Sequence, residues 1–227
     1  MIFQTSCISE SIRASDEVST ISYAFSEYDA LEISNDFNAF IRFSDAEEKI
    51  EVEANDNLHQ HIIVKMINGK LSVKLKNSIN VRGQEVLNLY ITTNNIIDFE
   101  ASGDSKITLQ DELITPNINI KVSGDSNFTG SITSSRLKIT ARGDSNVDIF
   151  GSTDDLNAIL QGDSNLDDYD LFVKDLKLKL SGDSTAHLSV SESIDVDASG
   201  DSDLYYKGDA VIVFERLTGD SRIIRKN

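Results

Sequence analysis

Residues 137–149 read LKITARGDSNVDI, and the Gly-Asp-Ser triplet at their centre occurs seven times in the chain. The copies are 21, 19, 19, 20, 18 and 19 residues apart and begin at Gly103, Gly124, Gly143, Gly162, Gly182, Gly200 and Gly219. A steady period of about 20 residues is typical of a stacked or arrayed repeat architecture. The repeat therefore says more about the fold than any single short motif does.

Apolar and polar residues alternate around each triplet. In the third copy, the apolar residues occupy every second position, at Leu137, Ile139, Ala141 and Val147, and Ser145 falls in the same alternating set. Because side chains of an extended chain alternate between its two faces, we expect the apolar residues, the glycines and the serines to point inward. The inward serines would be Ser105, Ser126, Ser145, Ser164, Ser184, Ser202 and Ser221. The aspartates expected to point outward are Asp104, Asp125, Asp144, Asp163, Asp183, Asp201 and Asp220.

A parallel β-helix explains why the same residue types return in the same order. Equivalent positions of successive coils then lie about 4.8 Å apart. Gly supplies a bend, Asp accepts hydrogen bonds from backbone N–H groups just beyond it, and Ser pairs with the serines above and below. Asn127, Asn146 and Asn165 would form a short stacked ladder. The alternative is an antiparallel meander with the triplets in hairpin loops, which explains the turn but not the recurring inward Ser.

The chain divides into three predicted parts. Residues 1–20 are polar and without clear period, which indicates a flexible leader. Residues 21–98 contain strand-like runs, and two of them, HIIVKMI and KLSVKLK, flank Asn68-Gly69, a strong hairpin signal. We expect this region to cap a β-helix of about seven coils in residues 99–227, with almost no helix anywhere.

Composition excludes several functions. The chain has 21 Lys and Arg against 38 Asp and Glu, a net charge of −17, which disfavours nucleic acids and anionic membranes as partners. No apolar stretch is long enough to span a bilayer. The one cysteine, Cys7, follows IFQTS as in the end of a bacterial lipoprotein signal, although the apolar segment that normally precedes such a site is missing here. Cys7 is therefore either a lipid attachment site or an ordinary thiol.

The repeated Gly-Asp after small residues, behind a β region containing NGKLSVKL, resembles the head-GIN-domain family of autotransporter-type adhesins of bacterial cell envelopes. The resemblance covers about residues 28–227. It implies a right-handed β-helix carried by a secreted protein or lipoprotein, with no established catalytic residues. This sequence departs from the family in one respect. Members of the family more often have Gly-Ser-Gly-Asp, whereas Gly-Asp-Ser dominates here.

The aspartate column is the first candidate site. Stacked carboxylates repel each other by about 0.9 kcal/mol per neighbour in bulk water, so something must offset the repulsion. Structural bends are the favoured explanation, ahead of calcium binding, because the nine-residue period of the calcium-binding β-roll is lacking. We predict no cofactor. Arg142 makes the third triplet an Arg-Gly-Asp-Ser run, but membership of a rigid coil argues against receptor recognition.

Other candidate residues carry weaker signals. His59 and His61 would share one face of a strand, and a solvated face is favoured over a metal site. His187 lies far from both in sequence. The acidic groups Asp154-Asp155 and Asp167-Asp168-Asp170 would lie in turns, without a partner base.

We therefore predict a non-enzymatic, adhesin-like binding or structural module at the cell surface, meeting an unknown protein or polysaccharide. The alternative is a polysaccharide-cleaving β-helix enzyme. The binding module predicts no concave pocket and no cluster of perturbed carboxylates, whereas the enzyme predicts a groove with two converging carboxylates. Tyr205 and Tyr206 are the candidates for exposed contacts. Arg222, Arg225 and Lys226 would guard the C-terminal end of the stack, or that end would dock onto another copy.

Overall fold

The computed structural model describes residues 10–77 and 79–227, which are almost entirely β-strand apart from one short 3₁₀ helix at Asp56–His61. The strands are β1 (Glu10–Arg13), β2 (Val18–Tyr23), β3 (Ala30–Ser34), β4 (Asn38–Phe43), β5 (Lys49–Asn55), β6 (Ile62–Ile67), β7 (Lys70–Leu75), β8 (Ile79–Arg82), β9 (Leu87–Thr93), β10 (Asp98–Gly103), β11 (Lys106–Leu109), β12 (Leu113–Ile114), β13 (Asn117–Gly124), β14 (Asn127–Gly143), β15 (Asn146–Gly162), β16 (Asn165–Gly182), β17 (Thr185–Gly200), β18 (Asp203–Lys207), β19 (Val211–Gly219) and β20 (Arg222–Arg225). Cys7 lies outside the described residues.

The described residues contain a parallel β-solenoid of about seven turns. Each long strand from β14 to β17 pairs in parallel with the next, so one repeat lies directly on another. From Gly124 to Gly219, the register places each triplet glycine on the triplet glycine of the preceding coil, for example Gly143 on Gly124 and Gly162 on Gly143. The predicted parallel β-helix is confirmed, and the antiparallel meander is wrong.

Two early strands form a coil of the same stack. β3 lies between β7 and β10, and β4 lies between β9 and β11, all in parallel. Residues 30–43 thus form one coil of the stack. It lies between the coil that contains β7 and β9 and the coil that contains β10 and β11. At the corner of that coil Asn35 takes the position of the triplet glycine, next to Gly103. Asn35 has φ 64°, a left-handed conformation that Asn tolerates better than most residues.

Antiparallel strands surround the first coils. β5 pairs with β9 and with β2, and β6 pairs with β7 in the predicted hairpin. Asn68 and Gly69 connect β6 to β7 with φ 52° and 77°, as a type I′ turn requires. β1 pairs with β8 in a separate two-stranded sheet. The boundary between this region and the repeats, near residue 98, stays a prediction.

One apolar core runs through the whole stack. Leu, Ile, Val and Ala of alternating positions are buried in every coil, and Phe99 contacts Phe128 edge to face across the first coils. The triplet serines belong to this interior, since Ser105, Ser126 and Ser145 are fully buried. The triplet glycines are exposed instead of inward, because the chain turns the corner at each of them.

Candidate binding surfaces

The Gly-Asp-Ser corners are held together by backbone hydrogen bonds between coils. The N–H of each Asp donates to the triplet Gly carbonyl of the preceding coil, at 2.8–2.9 Å, from Asp125 to Asp220. The seven glycines have φ between 76° and 88°, a region that favours Gly. The corner column is therefore a continuous ladder of backbone contacts with a fixed register.

Each buried Ser hydroxyl reinforces this ladder. Ser164 Oγ lies 3.1 Å from the carbonyl oxygen of Gly143 in the coil below and 3.0 Å from that of Gln161 in its own coil. A hydroxyl has a single proton, so the two carbonyls share it. The same pair of contacts recurs at Ser126, Ser145, Ser184, Ser202 and Ser221. The predicted Ser–Ser pairing is wrong, because backbone carbonyls are nearer acceptors.

The aspartate carboxylates do not make the predicted bends. In residues 10–77 and 79–227 no backbone N–H donates to the carboxylate of a triplet Asp; the backbone N–H of the Asp makes the bond instead. These side chains point into water, as expected of an outward column. The same residues contain no group of His, Cys, Asp or Glu arranged to hold a metal ion.

The residues beside the corner stack as the register predicts. Asn127, Asn146 and Asn165 are paired in successive coils, but Asn127 and Asn165 donate to the carbonyls of Asp125 and Asp163 in their own coils, not to each other. Two positions before Asp144, Arg142 Nε donates to Gln161 Oε1 at 2.9 Å in the next coil. The Arg-Gly-Asp-Ser run is thus part of a rigid column, with its Ser fully buried.

The outward side of the β6–β7 hairpin carries a cluster of lysines. This lysine face consists of Ile63, Lys65 and Ile67 from β6 with Lys70, Ser72, Lys74 and Lys76 from β7 and the residue after it, and it lines an open groove of about 710 Å³. Lys70 Nζ lies 3.0 Å from Glu100 and 3.6 Å from Glu32. Lys76 Nζ donates to the carbonyl oxygen of Gln60 at 2.7 Å. The alternation of Lys in KLSVKLK was the sequence signal for this surface.

Three rings stack along one side of coils β16 to β18. The ring of His187 lies 5.4 Å from Tyr169, edge to face, and 4.9 Å from Tyr205, in parallel. Lys207 covers the Tyr169 ring and Lys226 covers the Tyr205 ring, at 4.5 and 4.7 Å from the ring centres. The spacing of 18 residues between the three rings matches the repeat and was the signal that could have revealed them.

Two predictions about single residues need correction. Tyr206 is buried at 6% exposure, so only Tyr205 of the predicted pair reaches the surface. His59 and His61 lie in the 3₁₀ helix, not on a strand face, and His59 Nε2 contacts the Ser19 carbonyl oxygen at 3.1 Å. The exposed apolar residues Phe150 and Phe172 were not foreseen.

Carboxylates cluster at two places on the solenoid. The pKa of Asp36, at the first corners, is raised mainly by loss of hydration and to a smaller extent by the charge of Asp104. Loss of hydration and then the charges of Asp168 and Asp167 raise the pKa of Asp148. The expectation that perturbed carboxylates do not cluster is therefore wrong. Both groups lie outside the lysine-face groove and outside the groove of about 510 Å³ that Phe172 lines.

The acidic groups expected in turns lie in strands. Asp154 and Asp155 belong to β15, where Asp154 pairs with Lys174 at 2.6 Å. Asp167 and its acidic neighbours belong to β16, which contains extra residues relative to β15 and β17, so the register shifts there. Asp167 contacts His187 Nδ1 at 2.5 Å. Residues 168–170 lie within these register shifts and have no paired residue in β15 or β17.

The basic residues of the last strands are paired with the coil below. Arg222 Nε and Nη2 donate to both carboxylate oxygens of Asp203, at 3.0 and 2.6 Å, and Arg225 contacts Asp209. The neighbouring Val211 and Phe214 of β19 are exposed by 64% and 50%. The surface at this end is therefore more apolar than its sequence charge suggests.

The comparisons with known proteins agree with this architecture. Residues 27–210 match the family model described as "Putative auto-transporter adhesin, head GIN domain". The chain belongs to this family. The resemblance seen in the head-GIN-type repeats is thus confirmed, and the family description indicates a binding role at the cell surface.

Solved structures share the fold of this head-GIN-domain chain. A protein from Bacteroides fragilis described as a putative adhesin has 21% identity and a TM-score of 0.82, over 95% of this chain and 99% of that one. One from Parabacteroides distasonis, described as a putative lipid binding protein, has 14% identity and a TM-score of 0.78, over 96% and 100%. One from Parabacteroides merdae, described as a putative adhesin, has 14% identity and a TM-score of 0.77, over 96% and 99%. The comparison with curated proteins found no match.

No helix among the described residues is long and apolar enough to cross a membrane.

Proposed function

We propose that this head-GIN-domain chain is a non-enzymatic, adhesin-like binding module that presents a rigid surface at the bacterial cell envelope. The observation that carries the proposal is the register of the Gly-Asp-Ser corners, whose glycines are paired one to one from coil to coil even where the strands between them shift register. Such a stack displays outward side chains at steps of about 4.8 Å. A rigid display of this kind loses little conformational entropy when it meets a repeating polymer or another protein.

The carboxylate clusters support a structural explanation better than the alternative, a polysaccharide-cleaving enzyme. Asp36 lies beside Asp104, and Asp148 lies beside Asp167 and Asp168, so the pKa values rise through loss of hydration and mutual repulsion. Acid–base cleavage needs two carboxylates, or a carboxylate and a base, placed around one bond in a shaped cleft. Neither cluster lines the lysine-face groove or the groove beside Phe172.

Two further parts of the proposal concern location and self-association. We propose that Cys7 is a lipid attachment site in the cell, which mass spectrometry of the membrane-bound protein would test. We also propose contact between copies through β19, because Val211 and Phe214 are exposed while Arg222 and Arg225 are compensated by aspartates. Light scattering over a concentration series should then show association that Phe214→Lys weakens.

The test of the main proposal uses the whole chain on an array of bacterial and host glycans, together with solutions of the same polymers. We expect retention on a subset of glycans and no release of new reducing ends from any polymer. New reducing ends that disappear in an Asp148→Asn variant would overturn the proposal in favour of the enzyme. Absence of retention on every glycan and on intact cells would also contradict it.

A further inference from the structure

We propose that the lysine face of the β6–β7 hairpin binds a linear acidic polysaccharide. This inference rests on the proposed binding role and adds the class of ligand and the place where it binds. It starts from an anomaly of charge, since the chain as a whole has a net charge of −17. The groove of the lysine face is lined by four lysines and one carboxylate, so its charge is opposite in sign to that of the whole chain.

Most of the positive charge on the lysine face is uncompensated. Lys70 is held between Glu32 and Glu100, so it contributes little free charge. In the described part of the chain, no carboxylate lies within 4.0 Å of the ammonium groups of Lys65, Lys74 and Lys76. Lys76 Nζ donates to the backbone carbonyl of Gln60, which carries no net charge. Lys65, Lys74 and Lys76 therefore bring three positive charges without a carboxylate partner to one side of a single hairpin.

Protection of a sheet edge does not account for the lysines of β7. Lys65 belongs to β6, which pairs only with β7 among the described strands, and a Lys on an edge strand commonly prevents further strand pairing. Lys70 and Lys74 belong to β7, which pairs with β6 on one side and β3 on the other. A strand with both edges paired needs no such protection, so the lysines of β7 call for another explanation.

The shape of the lysine face favours a linear polymer. Outward residues of a strand repeat every 6.8 Å or so, which spreads Lys70, Lys74 and Lys76 over about 20 Å. The groove beside them is open, so it does not enclose a small anion. Ile63 lies opposite Lys74 and Ile67 lies opposite Lys70, and Ile67 is 61% exposed. These side chains offer apolar contact to the C–H faces of sugar rings between the charged groups.

An anionic bilayer fits the same surface less well. A bilayer is an extended plane, and it attracts a protein that presents a broad cationic area. Here the lysine face is narrow, and the next strands of the same sheet carry Glu32 in β3 and Glu100 in β10. A linear chain can follow the lysines and avoid these carboxylates, whereas a plane cannot.

The test measures binding of the whole chain to polygalacturonate by biolayer interferometry, with neutral dextran as a second polymer. We expect saturable binding to polygalacturonate that weakens as salt increases, and none to dextran. Reversal of two free charges in a Lys65→Glu, Lys74→Glu variant should weaken binding by about ten-fold or more. A Lys65→Arg, Lys74→Arg variant should keep the affinity within about two-fold, since the charge is retained.

The control variant carries Lys121→Glu and Lys138→Glu, two exposed lysines of β13 and β14. It changes the net charge of the protein by the same amount as the hairpin variant, but at a different place. Equal loss in this control and in the hairpin variant would overturn the proposed site, because net charge alone would then explain binding. Binding to vesicles of phosphatidylglycerol without binding to polygalacturonate would overturn the proposed ligand. Retention on other glycans with no effect of the hairpin variant would contradict this inference and leave the proposed function standing. Circular dichroism melting confirms that each variant is folded.

Discussion

Gly182 lies so close above Gly162 that a Cβ atom added to Gly182 would come within 2.6 Å of the Gly162 carbonyl oxygen. That oxygen accepts the hydrogen bond from the Asp183 N–H at 2.9 Å. The corner therefore requires Gly for two independent reasons, the left-handed φ of 87° and the closeness of the coil below. Gly103 has a similar φ of 77°, but a Cβ there would lie 3.4 Å from the nearest atom, the Asn35 nitrogen.

The first prediction separates these two reasons. Gly103→Ala should lower the stability by about 1 kcal/mol through backbone strain alone. Gly182→Ala should cost about 3 kcal/mol or more, since the carbonyl contact adds to the same strain. Chemical denaturation of the two variants and the parent measures the difference. Equal losses in both variants would mean that the coils can separate enough to accept a methyl group.

The second prediction concerns the buried hydroxyls. Ser164→Ala removes the proton shared by Gly143 and Gln161, and we expect a loss of about 1 kcal/mol. Ser131 of β14 is only half-buried and takes no part in the corner, so Ser131→Ala serves as the control with an expected change below about 0.5 kcal/mol. Thermal melting compares the two. A stabilised Ser164→Ala protein would show that the hydroxyl is not needed in the interior.

The third prediction follows from the pair of Arg222 and Asp203. Hydrogen bonds from Arg222 lower the pKa of Asp203, even though burial acts in the opposite direction. Because the folded-state pKa lies below the unfolded one, the stabilisation is complete above the ordinary pKa of Asp. It disappears as the pH falls through the lowered value. Arg222→Gln should therefore lower the melting temperature by a few degrees at pH 7.

A pH series provides the check on this pair. The difference between Arg222→Gln and the parent should shrink steadily between pH 5 and the acid limit, where Asp203 is protonated in both states. Arg216→Gln is the matched control, since Asp197 pairs with Arg216 in a more solvent-exposed position and its loss should matter less. A difference that does not depend on pH would point to lost packing of the Arg222 side chain instead.

The fourth prediction has the opposite sign. The pKa of Asp36 is raised, so its charged form is disfavoured in the folded protein and stability at neutral pH is reduced. As the pH falls through the raised folded-state pKa of Asp36, the carboxylate takes up a proton and the loss of stability disappears. Asp36→Asn should raise the melting temperature at pH 7 and leave it unchanged near pH 3. Asn also tolerates the φ of 68° at this position, so backbone strain does not confuse the result.

Asp104 provides the reciprocal test of this cluster. Asp104→Asn removes the neighbouring charge, so it should also raise stability at pH 7, and the double variant should gain less than the sum of the two single variants. Loss of hydration and the charges of Asp36 and Asp104 raise the pKa of Glu85 as well, so Glu85→Gln should act in the same direction. Strictly additive gains would show that the carboxylates do not interact.

The sequence by itself determined the stacking. Seven triplets at nearly equal spacing predicted coils in register, and Asn68-Gly69 predicted the hairpin, because both depend on local backbone conformations that only a few residue types accept. The coils were predictable because the triplet repeats the same local requirement seven times, and the hairpin because Asn-Gly by itself favours a type I′ turn.

Only the tertiary structure decided how distant segments meet. Nothing local to β3 shows that it lies between β7 and β10, and nothing local to β4 shows that it lies between β9 and β11. The alternation in KLSVKLK likewise does not show that Lys70 is neutralised by Glu32 and Glu100 while Lys74 has no ion-pair partner among the described residues. The ring column from Tyr169 to Tyr205 likewise exists only once coils are aligned. Periodicity fixes which face a side chain takes, but charges and rings act through neighbours that are distant in sequence, and those neighbours are set by packing.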